Sequence, residues 1–203
     1  SEYSNEIFYL VISKLLQLGE IQKSYNLIKT KKFKENSNEK FYQSLEINYL
    51  LSTYQLNKAC ELKDEFNSKK IILEKYFLEK TDIFCLTLEN KFAEAKLLNS
   101  LLLDSENEID ENFQKLFNFM IMNETDKNSF EYSTEIKSKE LIFLYSAMLR
   151  INELALDEAF IEIDRSNLSI PVILSESTNM DVRIKAANTA YIDEALSISS
   201  LSA

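Results

Sequence analysis

Two cysteines and an excess of carboxylates are the residues of this chain that could do chemistry. Cys60 and Cys85 could form one disulfide bond, and 33 aspartates and glutamates outnumber 23 lysines and arginines. The 203 residues include no histidine, which excludes Ser-His-Asp and Cys-His catalytic arrangements. The single glycine excludes a phosphate-binding loop and a dinucleotide fingerprint. We therefore expect a protein that is not an enzyme and predict no catalytic residue.

Metal and cofactor sites have equally little support in the sequence. A zinc site would have to combine the two cysteines with carboxylates, which is an unusual ligand set. The acidic stretch "DSENEID" (104–110) lacks the glycine and the alternating aspartates of a calcium loop, so we interpret it as a solvated loop. We predict no metal ligand, no cofactor-binding residue and no cofactor.

The charge of the chain bears on its partners. The formal net charge is −10 and the pI is near 4.7, so the surface repels nucleic-acid phosphates and anionic lipids. The densest basic cluster, "KTKKFK" (29–34), is interpreted as a solvated helix end and loop. No apolar run approaches the roughly 20 residues that span a bilayer. We expect no nucleic-acid partner and no membrane insertion.

The only glycine, Gly19, belongs to a pattern that occurs three times. The three stretches are "LLQLGEIQKSYNLI" (15–28), "LLSTYQLNKACELK" (50–63) and "LTLENKFAEAKLLN" (86–99). We align them on Gly19, Tyr54 and Asn90, which we call the turn positions and which are 35 and 36 residues apart. In each stretch a leucine precedes the turn position by four residues, and apolar residues follow it by two and by eight.

This spacing predicts helical hairpins. A helix ends near each turn position, where glycine adopts a positive φ without a Cβ clash, and the next helix begins just after it. The residue five positions later is small in all three stretches (Ser24, Ala59 and Ala95), and we expect it where the two helices cross most closely. The period is close to the 34 residues of tetratricopeptide (TPR) repeats, without their tryptophan and helix-ending proline. An irregular helical bundle is the alternative.

The pattern and the composition together predict an all-α fold. One glycine and one proline are too few for hairpin-rich sheets. We expect an α-solenoid of TPR-like helical hairpins over 1–122 and an irregular C-terminal helical part over 123–203, divided by the polar stretch 123–134. One continuous domain is equally consistent with the sequence. The predicted helices are 3–18, 20–30, 38–53, 56–67, 70–88, 91–104, 110–122, 136–152, 154–164, 170–177 and 181–196.

Local signals refine the bounds of the predicted helices. Asp110 and Asp181 are typical of helix starts, and Pro171 is placed in a first helical turn.

If 56–67 and 70–88 form a hairpin that turns near residue 68, Cys60 and Cys85 lie about 13 Å apart at 1.5 Å per residue. A disulfide requires Cα atoms within about 7 Å, so we expect two buried thiols unless the helix breaks near 79–82.

Aromatic side chains are frequent in two of the predicted helices. They could line a ligand groove, but packing between helices is the more common role of such a pattern, and we expect packing. The residues concerned are Tyr76, Phe77, Phe84, Phe113, Phe117 and Phe119. The tripeptides at Asn123 and Asn167 match glycosylation acceptors, to which we give little weight.

Five segments resemble a poorly characterised helical-repeat family of alphaproteobacterial proteins. They are "LLQLGEIQKSYNLI", "NKACELKDEF", "DIFCLTLENKFAEAKLLNSLLLD", "IDENFQKLFNFMI" and "NMDVRIKAANTAY". The resemblance implies a TPR-like fold and export to the periplasm, with the cytoplasm as the alternative compartment. It also slightly favours a bond between Cys60 and Cys85, against the hairpin geometry. It supplies no catalytic residue.

These observations favour a non-enzymatic helical-repeat scaffold or protein-binding module, because stacked hairpins leave a concave surface suited to a peptide or a helix. Its partner would be another protein or peptide. The alternative is a carrier of an apolar small molecule or lipid in a cavity between helices. A third hypothesis is a fragment of a longer scaffold. The sequence does not specify an oligomeric state.

Overall fold

The computed structural model describes residues 2–30, 38–68, 73–105, 109–122, 141–156 and 158–192. Within these ranges every secondary-structure element is a helix, which confirms the all-α prediction. The helices are α1 (Glu2–Gln17), α2 (Ile21–Thr30), α3 (Glu39–Ser52), α4 (Leu56–Ser68), α5 (Lys75–Leu88), α6 (Phe92–Ser105), α7 (Glu111–Met122), α8 (Ile142–Ile151), α9 (Glu158–Ile163), α10 (Arg165–Ile173) and α11 (Met180–Ile192).

Three helical hairpins, α1–α2, α3–α4 and α5–α6, share one turn geometry. The turn positions Gly19, Tyr54 and Asn90 have φ of 76°, 61° and 61°. The N–H of each donates to the carbonyl three residues earlier, and the following N–H donates to the carbonyl five residues earlier. This pair of bonds is the Schellman motif, which satisfies the last carbonyls of a helix. The predicted helix stop is confirmed at all three positions.

The small residues after the turns are buried, as predicted. Ser24, Ala59 and Ala95 have no exposed surface. The apolar positions of the pattern are buried consistently only in the middle hairpin, since Leu27 and Phe92 are 37% and 38% exposed. The reason is that α3–α4 has a helix on each side, with α2 packed on α3 and α5 packed on α4.

A fourth turn of the same kind follows α8, where the sequence pattern fits only loosely. Glu153 has φ 54°, and it and Leu154 make the same two backbone bonds. The next helix begins only at Glu158, so this turn does not close a hairpin of the repeated type. Arg150, near the end of α8, lies over the Tyr54 ring with its Cζ 4.3 Å from the centroid, and its Nη1 donates to the Ser52 carbonyl at 3.2 Å. This cation–π contact helps to stabilise a tyrosine at an unfavourable φ.

Cys60 and Cys85 form a disulfide, so the expectation of free thiols was wrong. Their Cα atoms are 5.7 Å apart. The predicted hairpin was too short: α5 begins at Lys75 rather than at residue 70, and the longer connection shifts Cys85 by several residues toward Cys60. The pairing of α4 with α5 is continued by an ion pair between Lys63 and Asp82, three residues from each cysteine.

The C-terminal helices pack back onto the hairpins. α8 contacts α3 and α7, and α10 contacts α1, α3 and α8 in addition to α9 and α11. One hydrophobic cluster accordingly runs from Ile21 in α2 to Ala186 in α11. α8 and α10 thus cover part of the surface that stacked hairpins alone would leave open. The expected boundary at 123–134 lies outside the described residues.

Two of the three helix signals are confirmed. The Asp110 carboxylate accepts the N–H of Phe113 at 3.1 Å at the start of α7, and Asp181 lies in the first turn of α11. The placement of Pro171 was wrong, because it lies in the last turn of α10. Asp164 starts α10 by accepting the N–H of Asn167 at 3.1 Å, and this cap replaces the predicted start near residue 170.

The aromatic residues pack between helices, as expected. Side chains of Phe77, Phe84, Phe113, Phe117 and Phe119 are buried, while Tyr76 is half-buried. Phe113 and Phe117 stack with their ring centroids 6.2 Å apart.

Candidate functional site

A cleft of about 410 Å³ opens where the ends of α1 and α10 meet the middle of α3. One face of α3 forms its floor, because Phe41, Leu45 and Asn48 follow one another at helical spacing. The start of α2, the start of α5 and the beginning of α8 close the sides. We call it the α1/α3/α10 cleft.

Apolar side chains from five helices form most of the lining. They are Leu16, Ile21, Phe41, Leu45, Phe77 and Phe143. The side chains of Ile21, Leu45, Phe77 and Phe143 are buried in the core as well, so the walls are fixed by packing. Such a lining favours an occupant with an apolar body.

Asn167, on the wall formed by α10, has an amide whose two ends differ in their bonding. Its Nδ2 donates to Asp164 at 3.1 Å and 2.9 Å and to the Leu16 carbonyl at 3.3 Å. Its Oδ1 is buried and accepts no hydrogen bond, and the whole residue is only 7% exposed. A buried amide oxygen without a partner costs about 1–3 kcal/mol. This unused acceptor is covered by other atoms of the protein.

Asn48, on the floor formed by α3, contributes a second acceptor of the same kind. Its Oδ1 is buried and likewise has no hydrogen-bond partner. Other buried oxygens in the described part of the chain, such as those of Ser13 and Ser175, have no partner either, so this feature is not confined to the cleft. Because neither amide oxygen has accessible surface, a ligand in the cleft could reach them only after the surrounding atoms moved.

The charges of the cleft are uneven. Lys40 and Glu74 neutralise each other in a half-exposed ion pair. The Asp164 carboxylate accepts hydrogen bonds from Asn167 but forms no ion pair in the described part of the chain. The unpaired charge of the lining is therefore negative.

A second cluster of ionisable groups lies at the start of α7 and has a structural role. Lys80, buried in α5, donates to Asp110 at 2.9 Å, and the Tyr145 hydroxyl donates to the same carboxylate oxygen. Burial alone would raise the pKa of Asp110, but the hydrogen bonds from Tyr145 and Lys80, the Lys80 charge and the Phe113 N–H hold the pKa below its ordinary value of 3.8. The cluster joins α5, α7 and α8. The acidic stretch that ends at Asp110 is thus not wholly solvated.

A smaller pocket of about 360 Å³ lies beside the turns at Tyr54 and Glu153. Arg150 and Glu176 also line it, so its charges are mixed. Burial lowers the pKa of Arg150, against the opposing effect of Tyr54. No group of histidine, cysteine or carboxylate side chains in the described ranges is arranged to hold a metal ion.

Sequence reasoning named no site residue and missed Asn48, Asp164 and Asn167. Asn48 had one weak signal, since it is a polar residue inside the otherwise apolar run "INYLL". Asn167 was noticed only within a glycosylation tripeptide, and its burial argues against that role. Asp164 could have been recognised as a helix cap, because aspartate is among the residues preferred at that position.

Comparison with known proteins adds no relative. Neither a family model, nor a curated protein, nor a solved structure matches the chain. Among the described helices, none combines the length and the apolar character needed to cross a membrane. The function proposed below therefore rests on the geometry of the cleft.

Proposed function

We propose that this protein is a non-enzymatic helical scaffold of TPR-like hairpins that binds a segment of another protein in the α1/α3/α10 cleft. The observation that carries the proposal is the cleft itself, about 410 Å³ between apolar walls that packing holds in place, with the charged side chains of Lys40, Glu74 and Asp164 in its lining. A bound segment would bury apolar side chains against the walls, which favours the bound state.

A binding role agrees with the chemistry of the chain better than catalysis does. The chain has no histidine, and both cysteines are joined in the disulfide. Lys40, which lines the cleft, is paired with Glu74. The net charge of −10 argues against a nucleic-acid partner.

The disulfide supports an oxidising compartment. Disulfides persist in secreted and periplasmic proteins and are rare in the cytosol of mesophiles. The bond between Cys60 and Cys85 thus favours the periplasm, the compartment that the resemblance to an alphaproteobacterial TPR-like family also implies. Assignment to that family remains a proposal.

Site-specific photo-crosslinking tests the binding site. A benzophenone amino acid replaces Ser44, which lines the cleft, and in a matched variant it replaces Asn188, which is exposed on α11. After irradiation in cells of the native source, we expect one protein adduct from position 44 that position 188 does not give. The same adduct from both positions, or none from position 44, would contradict the proposal.

The second candidate function is carriage of an apolar small molecule. It is favoured by the cleft volume of about 410 Å³, which falls within the roughly 300–1,000 Å³ of small-molecule sites. Native mass spectrometry of protein isolated without denaturation distinguishes the two functions. A bound species of a few hundred daltons, lost when Ser44→Trp fills the cleft, would favour the carrier.

A further inference from the structure

We propose that two copies of this chain associate through the exposed face of α1, with the two α1 helices antiparallel around a two-fold axis at Leu10. The face, which we call the α1 outer face, consists of Ile7, Leu10, Val11 and Lys14. None of these residues lines the α1/α3/α10 cleft, so self-association goes beyond the proposed function.

The contacts between neighbouring hairpins repeat in one register. Tyr25 of α2 stacks on Tyr49 of α3 with the ring centroids 4.1 Å apart, and Cys60 of α4 is bonded to Cys85 of α5. In both pairs the first residue follows its turn position by six residues, and the second precedes the next turn position by five. The preceding helix therefore covers the same face of α3 and of α5.

Ion pairs continue this register one helical turn away. Lys29 of α2 pairs with Glu46 of α3 at 3.1 Å, and Lys63 of α4 pairs with Asp82 of α5. Both carboxylates precede their turn position by eight residues. The lysines lie after the tyrosine and cysteine contacts along the chain, while the carboxylates lie before them. The two helices in each contact are therefore antiparallel.

The equivalent face of α1 is exposed. The residues twelve, nine, eight and five positions before the first turn position are Ile7, Leu10, Val11 and Lys14. All four are exposed, with Ile7 at 60% and Leu10 at 58%. In α3, by contrast, Tyr42 and Leu45 occupy the positions twelve and nine before the turn and are buried. The α1 outer face is thus an apolar surface of the kind that an antiparallel helix covers elsewhere in the described chain.

The charges beside this face favour a second copy as its occupant. Glu6 and Lys14 lie four residues on either side of Leu10, about 6 Å along the helix in each direction. An antiparallel pair with Leu10 against its own copy brings each Lys14 to a Glu6, so one two-fold axis forms two equivalent ion pairs. A parallel pair would place like charges together. Neither Glu6 nor Lys14 has an ion-pair partner among the described residues.

Burial of apolar surface and overall charge act in opposite directions on this dimer. Ile7, Leu10 and Val11 of both copies leave water when the helices pair, which favours association. The net charge of −10 on each copy opposes it. We therefore expect a reversible dimer. Sedimentation equilibrium should show a mass that rises with concentration from 23.7 kDa toward twice that value.

Charge reversal distinguishes this antiparallel pair from general aggregation. Glu6→Lys and Lys14→Glu each replace both ion pairs by like-charge contacts, so we expect each to weaken the dimer about tenfold or more. The double variant Glu6→Lys/Lys14→Glu exchanges the partners and should restore the wild-type affinity. Each reversal changes the net charge of −10 by two, giving −8, −12 and, in the double variant, −10. An effect of net charge alone would instead strengthen association in Glu6→Lys.

Cysteine crosslinking tests where the copies meet. Leu10→Cys places two thiols at the proposed axis, while the native cysteines are already joined to each other. The matched control, Leu97→Cys, replaces a leucine on α6 that is 64% exposed. With a short bismaleimide we expect a covalent dimer from the first variant and none from the second. Circular dichroism checks that every variant is folded.

Three results would overturn self-association through α1. They are a chain that stays monomeric at about 100 μM, a dimer whose affinity the single charge reversals do not weaken, and a covalent dimer from Leu97→Cys but not from Leu10→Cys. If the chain is monomeric while a benzophenone amino acid at position 10 captures another protein in cells, a different partner covers the α1 outer face. All of these results leave binding in the α1/α3/α10 cleft untouched.

Discussion

Reducing the bond between Cys60 and Cys85 should lower the free energy of unfolding substantially. The bond closes a loop with a sequence separation of 25 residues. Loop-closure theory assigns such a loop about 12 cal/mol/K of unfolded-state entropy, or about 3.5 kcal/mol at 25 °C. A domain of this kind has a total stability of about 5–15 kcal/mol, so the loss would be a large part of it.

Urea unfolding followed by circular dichroism, with and without a thiol reductant, measures this effect. The variant Cys60→Ala/Cys85→Ala is the control, and reductant should leave its unfolding midpoint unchanged. Both sulfurs are buried, so the reductant must be equilibrated with the unfolded chain before refolding. The reasoning is refuted if the wild-type midpoint does not move, or if two free thiols titrate in unfolded protein that was never reduced.

Three further predictions address the hairpins and the ionised cluster. Ala95→Leu should overpack a fully buried position and cost about 1–3 kcal/mol, whereas an unchanged melting temperature would place this residue away from the helix crossing. Gly19→Ala, at φ 76°, should cost about 1 kcal/mol in urea unfolding, while Asn90→Gly, at φ 61°, should cost nothing; equal losses would contradict the turn geometry. The pKa of Asp110 is lower in the folded chain than its ordinary value of 3.8. The ionised carboxylate therefore contributes its full stability above pH 3.8, and this contribution is lost as the pH falls through the lowered pKa. Unfolding free energies measured against pH should show this acid loss, and an equal loss in Asp110→Asn would contradict it.

The turns could be predicted from the sequence because their chemistry is local. A leucine four residues before Gly19, Tyr54 or Asn90 and a small residue five after it define where one helix ends and which face of the next is buried. A few consecutive residues decide such a turn, since its hydrogen bonds all fall within the last helical turn. Even Tyr54, a poor residue for positive φ, follows the pattern because Arg150 supports it from α8.

The disulfide was missed because its geometry depends on the length of one connection. A start of α5 at residue 70 separates the cysteines, and a start at Lys75 brings them together, because each residue of shift changes their distance by about 1.5 Å. The boundary of a helix is a weak signal in a sequence without proline or glycine nearby. A small local error therefore changed a long-range conclusion.

The cleft could not be predicted because distant parts of the chain form it. The Nδ2 of Asn167 meets the Leu16 carbonyl across 151 residues of sequence, and neither residue signals the other. The predicted stack of hairpins also did not include α8 and α10, although both helices pack on α3. Which polar atoms remain unpaired is decided only when these helices meet.

Photo-crosslinking from position 44, compared with position 188, tests the central claim most directly. We predict a protein adduct from position 44, in the α1/α3/α10 cleft, that position 188 on α11 does not give. The same adduct from both positions, or no adduct from position 44, would contradict the claim.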